Sequence, residues 1–140
     1  MTHAPARIAL VFLISILSPY TAQAEQTGIA FAYAPEQGAG HCTGSDPAAA
    51  FDCARAKCAE SGAAAEDCAP VAWCFPAGWT AAVGIMHKEG IHWTEYSCGW
   101  ETKEAAKAAA AVRCNPAERP FIQECSAAVF YDPDGNELME

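Results

Sequence analysis

Residues Ala48 to Cys68 read AAAFDCARAKCAESGAAAEDC, and residues Glu104 to Cys125 read EAAKAAAAVRCNPAERPFIQEC. Both contain A-x-x-x-A-x-x-x-C: Ala50, Ala54 and Cys58 in the first, Ala106, Ala110 and Cys114 in the second. Each is followed by another cysteine, Cys68 after ten residues and Cys125 after eleven. Residues four apart stack on one face of a helix, so each stretch presents a stripe of two alanines and a cysteine. Side chains that small let a helix lie close against a sheet. Asp46 and Thr102, 56 residues apart, are both good N-cap types. Pro47 at the first helical position and Gly62 past the end bound the first helix, and Asn115-Pro116 ends the second.

Outward from the helices the repetition continues. Cys42 to Cys58 and Cys98 to Cys114 are both sixteen apart. GIAFAYAP (28–35) turns at EQG into AGHCTG, and TAAVGIMH (80–87) turns at KEG into IHWTEYSCGW, each a hairpin pattern ahead of a helix. A third strand is predicted after each helix: CAPVAWCF (68–75), with Val71, Trp73 and Phe75 on one side, and FIQECSAAVFY (121–131), whose alternation is poorer. Half a chain of about 50 residues cannot bury its apolar face alone. The predicted fold is therefore α+β: two tandem strand-strand-helix-strand repeats, about residues 28–75 and 79–131, joined at Pro76 to Trp79 and related by an approximate two-fold. They form one disulfide-stapled domain over residues 25–131, with antiparallel sheet and two Ala-rich helices. The acidic tail DPDGNELME (132–140) is expected to fray.

The first 24 residues, MTHAPARIALVFLISILSPYTAQA, read as a signal peptide with an A-x-A site at Ala22 to Ala24; the apolar run is too short to span a bilayer. The expectation is a periplasmic or secreted protein without membrane insertion after cleavage. All eight cysteines lie beyond the leader, an even number in an exported chain, which predicts a disulfide framework. The closest pair, Cys53 and Cys58, is not C-x-x-C, so neither structural zinc nor thioredoxin-like chemistry is indicated, and no metal or cofactor is expected. The repeat predicts Cys58–Cys68 and Cys114–Cys125 as equivalent bridges. Of the rest, Cys42 and Cys98 hold equivalent strand positions and are expected to pair across the two-fold, leaving Cys53 with Cys74.

The paired helices, each preceded by a short apolar strand and followed by a second cysteine about ten residues later, resemble the domain of unknown function 4189 family of small exported bacterial proteins. The resemblance spans Gly28 to Tyr131 and implies no activity. Cys53 and Cys74 have no counterpart in the second half, where Ala109 and about Tyr131 stand.

The leader carries one Arg and no acid, so its removal moves the formal charge from −9 to −10. Such a chain repels phosphate backbones and anionic lipid, which argues against nucleic-acid and anionic-membrane partners and for a cationic protein. Ser45, Ser61, Ser97 and Ser126 lie in no G-x-S-x-G elbow, and His41, His87 and His92 show no zincin spacing. The aromatics are more telling. On the ribbon Ile91 to Trp100, Trp93 sits opposite His92, Thr94 and Tyr96; His92, Trp93, Tyr96 and Trp100 are the candidate binding residues. The function expected is a non-catalytic binding domain, an inhibitor or adaptor for a basic envelope protein. The alternatives are a small hydrolase using His41 or His92 with an acid, and a structural envelope protein without a specific ligand.

Overall fold

Asp46 and Thr102 do cap helices: Asp46 Oδ1 accepts from the Ala49 amide at 2.8 Å and Thr102 Oγ1 from the Ala105 amide at 3.1 Å. They start α1 (Pro47–Glu60) and α2 (Lys103–Arg113). The computed structural model describes residues 26–140, and the leader expected over residues 1–24 lies outside the described residues. Strands β1 (Gly28–Ala34), β2 (Gly38–Gly44) and β3 (Ala69–Cys74) surround α1 in sequence, and β4 (Trp79–His87), β5 (His92–Trp100) and β6 (Ile122–Tyr131) surround α2. Each half makes its own antiparallel sheet, in the same strand order: β2-β1-β3 in the first and β5-β4-β6 in the second, where β7 (Glu137–Met139) adds an edge.

Alternation along the central strands sorts the core into layers. On β1, Ala30, Ala32 and Ala34 pack against Ala50, Ala54 and Cys58 of α1, while Ile29 and Phe31 point the other way. On β4, Ala81, Val83 and Ile85 meet Ala106 and Ala110 of α2, and Ala82 points the other way. The two opposite faces pack on each other, so the order is helix, sheet, sheet, helix. Small residues do set the helix–sheet spacing. A Cβ on Gly40 would collide with the Ala54 carbonyl oxygen and the Cys58 amide nitrogen, so glycine is what allows α1 to sit so close to β2.

Four disulfides staple this arrangement. Cys58–Cys68 and Cys114–Cys125 are as the repeat predicts. The other two are not. Cys42 pairs with Cys53, tying β2 to α1, and Cys74 pairs with Cys98, tying the first sheet to the second. The reason is strand parity. Cys42 lies opposite Ala30 on the helix-facing side, and the residue opposite the corresponding Ala81 is Ser97. A register shift between Trp79 and Ala81 separates the halves, so Cys98, one residue beyond Ser97, projects from the other face into the space between the sheets.

Of two further expectations, one holds in part and one changes. Trp73 and Phe75 do share a side of β3, their rings stacked at 6.4 Å between centroids with Trp73 also near Phe51 of α1, while a bulge opposite Phe31 and Ala32 interrupts the pairing at Val71, which is 46% exposed. The tail, expected to fray, is a hairpin return: β7 pairs with β6, Tyr131 opposite Glu137 and Val129 opposite Met139. The Asp132 carboxylate accepts from the amides of Asp134 and Asn136 and from the Asn136 side chain, and Gly135 takes φ +84°. That is an aspartate-stabilised turn with glycine where the backbone goes left-handed.

Peptide mapping without reduction is expected to recover Cys42–Cys53, Cys58–Cys68, Cys74–Cys98 and Cys114–Cys125; a Cys42–Cys98 peptide would contradict the parity argument. Gly40→Ala, which forces α1 off the sheet, is expected to cost about 2–3 kcal/mol of unfolding free energy in a urea titration.

Candidate functional site

Among the described residues strand β5 pairs with β4 alone, and its two faces look in different directions. Trp93, Glu95 and Ser97 lie opposite Ile85, Val83 and Ala81 and share their α2-facing side; His92, Thr94 and Tyr96 lie opposite Met86, Gly84 and Ala82 and face the first sheet. The four candidate residues therefore do not make one surface. Tyr96 is inside. Its ring stacks on Phe31 at 4.0 Å between centroids, Phe31 meets Tyr131 edge-on at 5.1 Å, and His41 lies 4.5 Å from Tyr131. Burial, with Tyr33 and Glu137 adding to it, pushes the Tyr96 phenol up to about 12, and burial raises Tyr131 likewise. Trp100 is 37% exposed and its indole nitrogen donates to Ser97 Oγ at 3.1 Å.

Trp93 is committed to a charge cluster on the α2 side. Its Nε1 donates to Glu95 Oε1 at 3.0 Å, Arg119 donates to both carboxylate oxygens at 3.1 and 2.7 Å, and Arg113 donates to Oε2 at 3.0 Å. The Arg119 fork, aided by Trp93 and Arg113 and opposed by partial burial, holds Glu95 down at about 2 against an ordinary 4.5. This links β5 to the end of α2 and to the loop before β6.

His92 does help to form a site. Where the contact between the sheets runs out, a cleft of about 300 Å³ opens, lined by Tyr33 of β1, His92 and Thr94 of β5, Gly84 and Met86 of β4, and Glu124 and Ser126 of β6. Cross-strand pairing explains the floor. Thr94, Gly84 and Ser126 form one row, and His92, Met86 and Glu124 the next. Gly84 supplies the depth, because a Cβ built there meets only the Ser126 carbonyl oxygen at 3.8 Å. Tyr33 reaches in from the other sheet. Neither Lys nor Arg is among the lining residues, and Glu124 is the formally charged one. Hydroxyls, an imidazole and a carboxylate around a part-apolar floor suit a ligand with hydrogen-bond donors and positive charge.

The histidines do not converge. His41 donates from Nε2 to the Gly135 carbonyl at 2.8 Å, which fastens β2 to the turn before β7. His87 accepts the Glu89 amide at Nδ1 and stacks on Phe121, whereas His92 stands at the cleft. His92 and Glu124 flank Met86 two strands apart, about 10 Å at the usual strand spacing. No hydrogen bond or ion pair joins the two side chains. Among the described residues no three His, Cys, Asp or Glu side chains are grouped to hold a metal, and no helix is long and apolar enough to cross a membrane.

No family profile, curated protein or solved structure matches the chain. The likeness to the domain of unknown function 4189 family accordingly rests on the alanine and cysteine spacing.

Sequence reading singled out His92 and Trp93, which both line the cleft, but missed Tyr33, Gly84, Glu124 and Ser126. They come from strands in both halves, and no linear pattern joins them.

Tyr96→Ala, which removes a ring from the packing between the sheets, is expected to cost about 3 kcal/mol of stability rather than to act at a free surface; urea unfolding followed by circular dichroism measures it. The depressed Glu95 pKa implies stability present above about 4.5 and lost as pH falls toward about 2. Glu95→Gln is expected to flatten the urea midpoint across that window. The change should not exceed about 1 kcal/mol, since the arginine partners are partly solvated.

Proposed function

We propose that this protein is an exported binding domain, periplasmic or secreted, that acts as an inhibitor or adaptor for a basic envelope protein, with the cleft between the sheets receiving a basic side chain of that partner. The observation that carries the reading is the cleft itself. It pairs Glu124 with the acceptor groups of Tyr33, His92, Thr94 and Ser126, has no cation in its lining, and opens on a chain of formal charge −9. Opposite charge raises encounter rates, and that gain is screened over about 8 Å in physiological salt.

Four disulfides are the chemistry of an oxidising, non-cytoplasmic compartment. The expected leader supports export, and the repeated alanine and cysteine spacing supports membership of the domain of unknown function 4189 family. The hydrolase reading loses ground because the His41 ring is engaged by Gly135 and His92 has no carboxylate at hydrogen-bond range.

Calorimetric titration of the mature domain with a basic lysozyme-type hydrolase, at low and at physiological salt, tests the proposal. Affinity is expected to weaken as salt rises and to fall at least tenfold in Glu124→Gln. Gly84→Val, whose Cβ would meet nothing closer than the Ser126 carbonyl oxygen at 3.8 Å, is expected to block binding while leaving the unfolding midpoint near that of the parent. Affinity indifferent both to salt and to Gly84→Val would overturn the proposal.

A further inference from the structure

On the far side of the second sheet, α2 lies chiefly over β4 and β5 and leaves part of β6 uncovered. A trough of about 290 Å³ runs between them, lined by Ala110 and Ala111 of α2, Ala127 and Ser126 of β6, and the Cys114–Cys125 disulfide. Lys107, Phe130 and Glu140 close one end. There the ammonium groups of Lys103 and Lys107 converge on a single oxygen, Oε1 of Glu140, at 2.7 and 2.6 Å. Both also lie over the Phe130 ring, 5.2 and 5.8 Å from its centroid. Two of the eight basic residues of a strongly acidic chain thus hold one carboxylate at the mouth of an alanine-walled trough.

Glu140 satisfies the lysines without filling the trough, whose volume remains with that side chain in place. At about 30 Å³ per water-sized group, the space accepts a chain of several methylenes. The hold on Glu140 is local. It follows β7, a three-residue strand exposed throughout, and is fixed to β6 by its amide on the Ala128 carbonyl at 3.0 Å. A carboxylate carrying a short apolar chain would keep both ammonium contacts and bury that chain against alanine. Glutamate cannot do the second.

We propose that Lys103, Lys107 and the trough form a binding site for a carboxylate that terminates a short apolar chain, with Glu140 as its built-in competitor. The lysines also lie in the first half of α2, where the helix end favours an anion. Independently of the cleft, this gives the domain a second ligand of the opposite charge.

The test is an amide-resolved NMR titration of the mature domain with hexanoate, with hexanol of equal chain length, and with acetyl-Ala-Ala-Leu as free acid and as amide. Hexanoate is expected to shift Ala110, Ala127 and Phe130 and to bind at least five-fold more tightly than hexanol. Glu140→Gln should strengthen hexanoate binding several-fold, and Lys103→Met with Lys107→Met should erase the preference over hexanol. Tighter binding of the peptide acid than of hexanoate would assign the site to peptide C-termini, and the reverse to free fatty acids; either supports it. Equal binding of hexanoate and hexanol, no shifts at all, or an unchanged affinity in Glu140→Gln overturns it.

Discussion

The stack of Phe31 on Tyr96, with Tyr131 against its edge, is what makes two half-domains into one protein. Each helix is consumed by its own sheet, and what remains apolar is one sheet face per half. Ile29, Phe31 and Ala72 on one side meet Ala82, Tyr96, Val129 and Tyr131 on the other. Aromatic rings matter most beside the first sheet, because the layer facing α1 is built largely of alanine and glycine, which bury little area per residue, whereas the layer facing α2 also holds Val83, Ile85 and Phe130. In the first half the close packing seen at Gly40 and the large rings between the sheets are two sides of one allocation: a thin helix contact and a thick sheet contact.

The disulfides follow the same division. Three of them act inside a half, fastening α1 to β2, the end of α1 to the start of β3, and the end of α2 to β6. Only Cys74–Cys98 crosses between the sheets. In the chain-entropy account a loop of this size is worth about 3 kcal/mol, comparable with one buried aromatic ring, so the covalent link and the Phe31–Tyr96 stack are similar contributors to the same contact.

Legibility in the sequence tracked the range of the interaction. Helix starts, helix stripes and the Cys58–Cys68 and Cys114–Cys125 bridges depend on residues within about eleven positions, and a period of 3.6 exposes them. The pairing of Cys74 with Cys98 depends on which face of β5 a residue occupies, and a single shifted position near Trp79 reverses that without leaving a mark in composition. Tyr96 stood among the candidate binding residues for the same reason: alternation reveals two faces but not that both are covered. The tail misled in the other direction. Its acids and turn residues resemble a frayed end, yet Asp132 spends its carboxylate on closing the turn.

The positions of the inter-sheet disulfide and the cleft are coupled by this geometry. Cys98 lies near one end of β5 and His92 at the other, six residues or about 20 Å along the strand, with Tyr96 between them. Beside Cys74 the sheets are tied by sulfur, in the middle they are held by stacked rings, and at Tyr33 and His92 they part to leave the cleft. Because Tyr33 belongs to the first sheet and the floor to the second, the width of the cleft is set by the angle at which the sheets meet. A bond at the far end constrains that angle while placing no atom in the opening. The even split of the fold into two similar units thus yields a site that neither unit contains.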